Sequence, residues 1–270
     1  MAMAINTNVS SLQSQSNVGN AQSSLATAMQ RLSTGLRINS AADDAAGLAI
    51  GTRMDSQIRG MNVAVRNTND AISMVQTADG ALSTITSAFQ RMRELSVQAA
   101  SGSTSTDDKA LLNTEYQSLA EEVGRISDST KFNNIALTST DAGTFNFQVG
   151  ANGTDTVAVT TKDANTYLAA AGDLTSGANA TTAIGALDDA LKAINTDRAT
   201  YGSTLNRFAF TVQNLNTSIS NQSAAKSRVM DADYGQETAN LAKANVLQQS
   251  SIAMLAQANQ APSSILSLLR

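Results

Sequence analysis

The sequence contains no cysteine and no histidine, and these two absences exclude much of the chemistry that enzymes use. Without those side chains the protein has no disulfide, no thiolate nucleophile, no imidazole base and no Cys/His zinc site. The acidic pairs Asp43-Asp44, Asp107-Asp108 and Asp188-Asp189 are best interpreted as helix-start or solvated charges. We therefore expect a protein that is not an enzyme and has no catalytic, metal or cofactor site.

Aromatic residues and long hydrophobic runs are also scarce. Aromatic residues make up 4% of the chain and tryptophan is absent, although hydrophobic residues make up 42%. Alanine, leucine, isoleucine and valine must then provide most of the packing, as they do in thin helical bundles. No apolar run reaches the roughly 20 residues that a membrane-spanning helix needs, so we expect no membrane span.

Positive charge is sparse and scattered. The net charge is −4, and Lys and Arg occur without a basic face, so we expect no nucleic-acid partner. The first cation is Arg31, and no continuous apolar segment precedes it. The N-terminus therefore does not resemble a cleavable signal peptide, and export from the cell would need another route.

The dominant pattern in the chain is a heptad repeat from Ile184 to Val229. Apolar residues recur there at alternating spacings of three and four over about six heptads, which predicts one helix roughly 70 Å long that packs lengthwise on others. The residues that we assign to the seam of a helical bundle are Leu187, Leu191, Ile194, Leu205, Phe208, Val212, Leu215 and Ile219.

Two further repeats extend the predicted bundle. A long helix is expected from Asp44 to about Ala100, and a shorter one follows the polar turn at 101–106, capped by Thr106 or Asp107. The glycines of the first of these helices, Gly47, Gly51, Gly60 and Gly80, favour close approach of a neighbouring helix or a place where the helix can adjust.

Residues 138–182 differ from the rest of the chain. Residues 145–149 and 156–160 alternate with period two around a Gly/Asn-rich loop, which predicts a β-hairpin as the single β element. Residues 162–182 are expected to form an exposed loop. The threonine density of this region permits O-linked sugars, while the two N-glycosylation sequons are short enough to occur by chance.

Both ends of the chain are weakly amphipathic and rich in Ala, Ser and Gln. Helices this weakly apolar are marginal in water, so we expect them to be disordered alone and helical against a partner. The apolar C-terminal tail also indicates a partner. We assign eleven residues to assembly through these ends: Ile5, Val9, Leu12, Leu32, Leu241, Leu247, Leu255, Ile265, Leu266, Leu268 and Leu269.

These patterns predict a mainly α fold, a long antiparallel helical bundle with a small β-hairpin, plus paired N- and C-terminal coiled-coil helices. Residues 1–43 with 231–270 would form the terminal coiled-coil domain. Residues 44–230 would form the bundle, with the hairpin and a variable loop at about 138–182.

Several motifs resemble those of bacterial flagellins. Residues 32–50 (LSTGLRINSAADDAAGLAI) look like the family's N-terminal signature. Residues 206–208 (NRF), 225–234 (AKSRVMDADY), 255–262 (LAQANQAP) and 265–270 (ILSLLR) resemble its C-terminal signature. The resemblance covers roughly 1–137 and 184–270. Because 138–182 is short, the chain resembles a minimal flagellin without large outer domains.

The resemblance implies a structural subunit that self-assembles into the helical flagellar filament for motility, with termini that order on polymerisation. It implies export through the flagellar type III apparatus without signal cleavage, and a location in the extracellular filament. The expected partners are further copies of the chain, an export chaperone on the C-terminal segment, the filament cap and the hook-junction proteins.

The resemblance also implies recognition by the animal innate immune receptor TLR5. In flagellins that activate this receptor, an Arg and a Leu on the first long helix and a Glu on the next form the contact patch. Residues 90–95 (QRMREL) and Glu115 match that pattern, so Arg91, Leu95 and Glu115 are the candidates. Met92 replaces a smaller apolar residue that is common there. The alternative is that these residues pack subunits together.

Two other functions compete with a filament subunit. A hook–filament junction protein shares similar ends, but the resemblance here also runs through the middle bundle. A secreted adhesin would use the surface at 138–182, which is small and carries few aromatic residues. A zinc-protease insert is excluded, because its H-E-x-x-H motif needs histidines.

Overall fold

A computed structural model of the chain describes residues 7–168 and 172–268, with side chains described as far as Gln260. The described chain is mainly α-helical. Its helices are α1 (Val9–Thr34), α2 (Ala45–Ala100), α3 (Thr106–Ser129), α4 (Asn165–Leu168), α5 (Gly177–Met230) and α6 (Tyr234–Leu268). Its strands are β1 (Lys131–Phe132), β2 (Ile135–Ala136), β3 (Thr144–Gln148) and β4 (Thr156–Thr160).

The chain divides into two compact units. One comprises Met1–Ser56 with Asn221–Arg270, and the other comprises Gln57–Ser220. The sequence predicts boundaries after residues 43 and 230, where the chain turns between helices. These boundaries stay a prediction. The compact units divide within α2 and α5, and the ends of these two helices are joined by a salt bridge of 2.5 Å between Lys226 Nζ and Asp55 Oδ1.

In the unit 57–220, α2 lies antiparallel to both α5 and α3. Arg198 Nε donates to Asp79 Oδ1 at 2.8 Å, and Arg93 bonds Asp188 further along the same two helices. The core between these helices consists of aliphatic residues and alanines with a few aromatics, as the composition predicts. Its largest fully buried side chains include Phe89, Met92, Leu95, Tyr116 and Phe208.

The side chains assigned to the α5 seam turn toward this core. Within the heptad repeat, most exposed positions lie between seam residues and are polar, although Phe210 is 71% exposed. Phe208 also meets Phe147 of β3 edge to face, with ring centroids 6.3 Å apart. The fully or nearly fully buried seam residues are Leu187, Ile194, Phe208 and Leu215, and the half-buried ones are Leu191, Leu205, Val212 and Ile219.

Polar caps determine where the helices begin. Asp44 Oδ1 accepts from the backbone N–H of Gly47 at 2.8 Å at the start of α2, as the acidic pair predicts. The predicted cap of α3, Thr106 or Asp107, is wrong by one residue. Ser105 is the N-cap, because its hydroxyl accepts from the Asp108 N–H while the Asp108 carboxylate reaches back to the Ser105 N–H.

The glycines of α2 differ in their surroundings. A Cβ on Gly51 would lie 2.5 Å from the Met230 sulfur, and a Cβ on Gly60 would lie 3.2 Å from the Ala151 Cβ. A Cβ on Gly80 would meet nothing within 4 Å. Close approach therefore accounts for Gly51 and Gly60, whereas it gives no reason for Gly80.

The hairpin β3–β4 forms as predicted, and a second hairpin was not predicted. β3 pairs with β4 in antiparallel register, from Thr144 opposite Thr160 to Gln148 opposite Thr156. β1 pairs with β2 through the two-residue turn Asn133-Asn134, whose φ angles are 48° and 64°. Asparagine tolerates this left-handed backbone, which two-residue hairpin turns require. The sequence indicates a turn at 131–134 and a short extended run at 135–137, but it does not predict that the two short strands pair.

The prediction of an exposed loop over 162–182 is wrong in part. Ala164, Leu174 and Ala180 are fully buried, α4 forms, and α5 begins at Gly177. A polar contact holds the segment to α5, since the Tyr167 hydroxyl donates to Asp197 Oδ2. Lys162 Nζ lies 2.8 Å from the other oxygen of the same carboxylate.

Three buried phenols should make stability fall at alkaline pH. Burial raises the pKa of Tyr116 and Tyr201 to about 12, and it also raises the pKa of Tyr167, helped by the Asp197 carboxylate. Above pH 10 these phenols ionise in the unfolded chain but stay neutral in the folded one. The free energy of unfolding is therefore unaffected by them below pH 10 and falls as pH rises from about 10 toward 12. We expect the urea midpoint of the unit 57–220 to fall steeply over this range.

The variants Tyr116→Phe and Tyr201→Phe test the assignment, because each removes one titrating phenol and should flatten the fall. Tyr234→Phe is the control, since that side chain is exposed. A urea midpoint that stays constant between pH 9 and 11 in the unaltered protein would contradict the account.

Candidate assembly surface of the terminal helices

The terminal helices α1 and α6 lie antiparallel and are joined by polar contacts near both ends of the pair. At one end, Asn8 Nδ2 donates to the Ala258 carbonyl at 2.7 Å and Ser11 Oγ donates to Asn259 Oδ1 at 2.7 Å. At the other end, the Tyr234 hydroxyl donates to the Leu32 carbonyl at 3.0 Å. These bonds fix the direction and register of the pair.

The face of each helix that is least exposed carries mainly small and polar residues. It repeats every three or four positions, which is the spacing of one face of an α-helix. On α1 this face consists of Ser11, Ser14, Val18, Ala21, Leu25, Ala28 and Leu32. On α6 it consists of Glu237, Leu241, Ala244, Gln248, Ser251, Leu255 and Ala258. Small residues let the two backbones approach, but they bury little apolar area.

Many of the larger apolar side chains nevertheless lie outside this pairing face. Val9 is 68% exposed, Leu12 56%, Val246 65% and Met254 61%, and Met29, Leu247 and Ile252 are exposed as well. This distribution departs from the usual pattern for a helix pair, in which most of the larger apolar residues face inward. A set of apolar side chains exposed on one pair of helices marks an interaction surface.

A groove of about 420 Å³ runs between the two helices and shows that their packing is incomplete. Its walls include Thr27, Arg31, Glu237, Lys243 and Leu247. Arg31 Nε is buried and has no hydrogen-bond partner there. A buried donor without an acceptor is unfavourable, so the pairing of α1 with α6 within one chain leaves the Arg31 Nε–H group unsatisfied.

The structure places the eleven predicted assembly residues in three groups. Leu32, Leu241 and Leu255 lie on the half-buried pairing face. Val9, Leu12 and Leu247 are exposed. Ile5 and Leu269 lie outside the described residues, and Ile265, Leu266 and Leu268 lie where side chains are not described.

In a coiled coil of the two ends, the repeat that begins at Val9 and Leu12 would face the partner helix. Both side chains are exposed, so this repeat is not the seam of the pair. The seam begins instead at Ser11 and Ser14. Apolar periodicity therefore indicated residues on both faces of α1, with Val9 and Leu12 outside and Leu32 inside, whereas the serines and alanines of the inner face carry no such signal.

The turn between α1 and α2 is joined to the turn between α5 and α6. Gly35 ends α1 with φ +72°, a left-handed conformation that glycine adopts without strain. The Arg37 N–H donates to the Met230 carbonyl at 2.7 Å, and the Ala232 N–H donates to the Gly35 carbonyl at 2.9 Å. These backbone bonds bring together two segments that are far apart in sequence.

The three residues predicted for receptor contact do not form one exposed patch. Arg91 and Glu115 are half-exposed and joined by a salt bridge of 2.8 Å, and Arg91 also bonds Glu94. These two carboxylates raise the pKa of the Arg91 guanidinium. Leu95 is 1% exposed and belongs to the core of the bundle. A direct receptor contact by Leu95 stays a prediction, and in the single chain this side chain is covered.

Neither a membrane-spanning helix nor a metal site is found in the part of the chain that the structure describes. None of its helices is both long and apolar enough to cross a bilayer. No group of three acidic side chains lies close enough together there to hold a metal ion. The apolar surface of the terminal helices is thus the feature that most needs a functional explanation.

Comparison with protein families gives two matches. The description "bacterial flagellin N-terminal helical region" matches residues 5–142, and "bacterial flagellin C-terminal helical region" matches residues 184–269. Among individual proteins, a flagellin of Halalkalibacterium halodurans is 44% identical, over 99% of this chain and the whole of that protein. The segment between the two matched regions holds β3, β4, α4 and the start of α5.

Solved structures give the same result. A crystal structure of Bacillus cereus flagellin aligns with a TM-score of 0.53 and 34% identity, over 60% of this chain and 94% of that one. A protein described as flagellar hook-associated, from Vibrio parahaemolyticus, aligns over 70% of this chain and all of that one with a TM-score of 0.60, but at 12% identity. The second likeness shows the fold alone.

The pair of Arg31 and Glu237 should support assembly through the terminal helices. Glu237 is almost buried and Arg31 Nη1 lies 3.0 Å from its carboxylate. Arg31→Met leaves that carboxylate without its partner, at a cost of about 1–3 kcal/mol. We expect the protein concentration needed for self-assembly to rise at least tenfold.

The double variant Arg31→Met/Glu237→Met is the matched comparison, since it removes both charges and should assemble more readily than the single variant. Sedimentation of polymer at a series of protein concentrations measures both. A single variant that assembles like the unaltered protein would contradict a role for the pair.

Proposed function

This chain belongs to the bacterial flagellin family and is a structural subunit of the flagellar filament, and we propose that it assembles by ordering its terminal helices against neighbouring subunits. In this proposal residues 1–43 and 231–270 form the inner part of the filament, and residues 44–230 form the surrounding bundle. The flagellins are a structural family, and the proposed activity is self-association without catalysis.

One observation carries the proposal: the terminal helices leave many of their larger apolar side chains exposed. Small and polar residues make up most of the α1–α6 contact, while Val9, Leu12, Val246 and Met254 are more than half exposed. A free subunit therefore gains little from pairing its own ends and leaves apolar area in water. Neighbouring subunits that cover this area stabilise the pair, so that folding of the ends depends on assembly.

This dependence on neighbours accounts for controlled growth. Ends that are marginal alone make association of free subunits unfavourable, because each must lose conformational entropy before contacts form. The end of an existing filament supplies an ordered surface, so addition there avoids part of that loss. Growth from a template is then favoured over assembly inside the cell.

The same surface supports proposals about partners. Apolar side chains of α6 need to be covered before export, which favours an export chaperone on the C-terminal segment. Marginal terminal helices favour passage of an unfolded chain through the flagellar type III apparatus, followed by assembly beneath a filament cap and beyond the hook-junction proteins. The protein would then reach the extracellular filament without cleavage of a signal peptide.

A hook–filament junction protein remains the alternative. The alignment with the hook-associated protein of Vibrio parahaemolyticus is at 12% identity and supports only a shared fold. The family matches and the H. halodurans flagellin together cover nearly the whole chain. These findings favour the subunit that elongates the filament.

Truncation of outward-facing apolar residues should weaken filament assembly. Leu12→Ala and Ile252→Ala each remove apolar area that neighbours would cover, about 1 kcal/mol for side chains already partly buried. We expect the concentration at which seeded filaments grow to rise about fivefold for each variant. Turbidity and negative-stain electron microscopy of seeded growth measure it.

The exposed polar neighbours Gln13→Ala and Gln249→Ala are the controls and should grow like the unaltered protein. Circular dichroism of each free subunit checks that the bundle is intact. If both apolar truncations elongate seeds at the unaltered concentration, the outward residues do not form the subunit contact.

A second proposal concerns recognition by the receptor TLR5. The observation that favours it is the exposed ion pair of Arg91 and Glu115, which lies on adjacent helices as the family pattern requires. Leu95 lies one helical turn from Arg91 on α2 and is buried in the core. It would fix the position of this part of the helix. Arg91 and Glu115 would make the direct contacts.

Arg91→Ala should reduce activation of TLR5 reporter cells by at least tenfold, since a charged anchor at an interface typically contributes 2 kcal/mol or more. Arg125→Ala is the matched control, because Arg125 and Glu122 form a similar exposed ion pair on α3. Equal potency of the Arg91 and Arg125 variants would argue against the proposed contact.

A further inference from the structure

The loop between β3 and β4 carries the single Asn-Gly dipeptide of the sequence, Asn152-Gly153. Both residues are exposed. A Cβ on Gly153 would meet nothing within 4 Å. The Gly153 N–H donates to no acceptor among the described residues, whereas the neighbouring N–H groups of Asn152 and Asp155 are both bonded.

Exposure and a free N–H are the conditions for spontaneous deamidation. The Gly153 nitrogen attacks Asn152 Cγ, a new N–Cγ bond forms, and Nδ2 leaves as ammonia with the proton that the Gly153 nitrogen gives up. Water then adds to either carbonyl of the resulting succinimide and yields aspartate or isoaspartate. Glycine favours this step, because it has no Cβ to hinder the approach of its nitrogen.

The loop also contains a restraint on the reaction. Asp155 Oδ2 accepts from Asn152 Nδ2 at 3.1 Å and from the Asn152 N–H at 3.2 Å. The Asp155 N–H donates to the Asn152 carbonyl at 3.0 Å, which closes the turn. Asp155 thus holds the side-chain amide of Asn152 and also its backbone N–H and carbonyl. These contacts restrain the rotation that would bring Asn152 Cγ to the Gly153 nitrogen.

We propose that Asn152 is a spontaneous modification site, at which deamidation converts the residue to aspartate and isoaspartate, and that Asp155 sets the rate by holding the Asn152 amide. The proposal goes beyond filament assembly, since it concerns a chemical change of the finished subunit. The modified fraction at the hairpin loop would then increase with the age of the protein.

The product destabilises the loop in which it forms. The Asn152 amide that donates to Asp155 becomes a carboxylate, so that an attractive contact of 3.1 Å becomes one between two negative charges. Isoaspartate also adds a carbon to the backbone. The loop rests on α2 through Ala151 at Gly60, so the modification should loosen this contact and add one negative charge to the surface.

The test is incubation of the full-length protein at pH 8 and 37 °C, followed by mass spectrometry of the tryptic peptide 132–162. We expect a gain of about one dalton, located at residue 152 by fragmentation, with isoaspartate as a major product. Gly153→Ala should slow the gain about tenfold, because a Cβ hinders the attack. Asp155→Ala should accelerate it, because the amide is released.

Asn39-Ser40 is the internal control, read from the tryptic peptide 38–53. Its Asn39 amide is half-buried and donates to the Leu36 carbonyl at 2.8 Å, so it should remain unmodified. Urea-unfolded protein supplies the unrestrained rate. The site is overturned if residue 152 stays an amide in the folded protein while the unfolded chain converts, and the role of Asp155 is overturned if Asp155→Ala reacts no faster.

Discussion

The account depends on one constraint: the two terminal helices contact each other mainly through small and polar side chains and leave many of their larger apolar side chains exposed. Ala21, Ala28 and Ala244 are almost completely buried in the pair, whereas Val9 and Met254 are more than half exposed. Buried alanines contribute little hydrophobic stabilisation, and exposed leucine-sized residues contribute none until a neighbour covers them. We therefore expect the helix pair to be stable only within an assembly.

The helical unit of residues 57–220 differs from the terminal pair, because it buries its larger apolar side chains within one chain. Its long helices place Phe89, Met92, Tyr116, Leu187 and Phe208 in a continuous core, so it does not need a neighbour to bury its apolar area. In this proposal one chain combines a unit that buries its own core with a unit whose order depends on association. This division suits a subunit that must remain soluble before assembly and rigid afterwards.

Much of the fold could be predicted from the sequence because it rests on strong periodic signals. The heptad from Leu187 to Ile219 predicts a long helix, and alternation at 145–149 and 156–160 predicts the hairpin. The errors arose where the signal is local or reversed. The strands β1 and β2 are two residues long, which is too short to show alternation, and Leu174 is buried in a segment that is polar in composition. Much of the pairing face of α1 could not be found from apolar periodicity, because serines and alanines form most of it.

The most direct measurement of the central claim is amide hydrogen exchange, by mass spectrometry, of free subunits and of polymerised filaments. The account predicts that amides of α1 and α6 exchange rapidly in the free subunit and become strongly protected in the filament. Amides of the helices within residues 57–220 should be protected in both states, which provides the internal reference. Equal protection of α1 and α6 in the two states would contradict the claim that assembly orders the terminal helices.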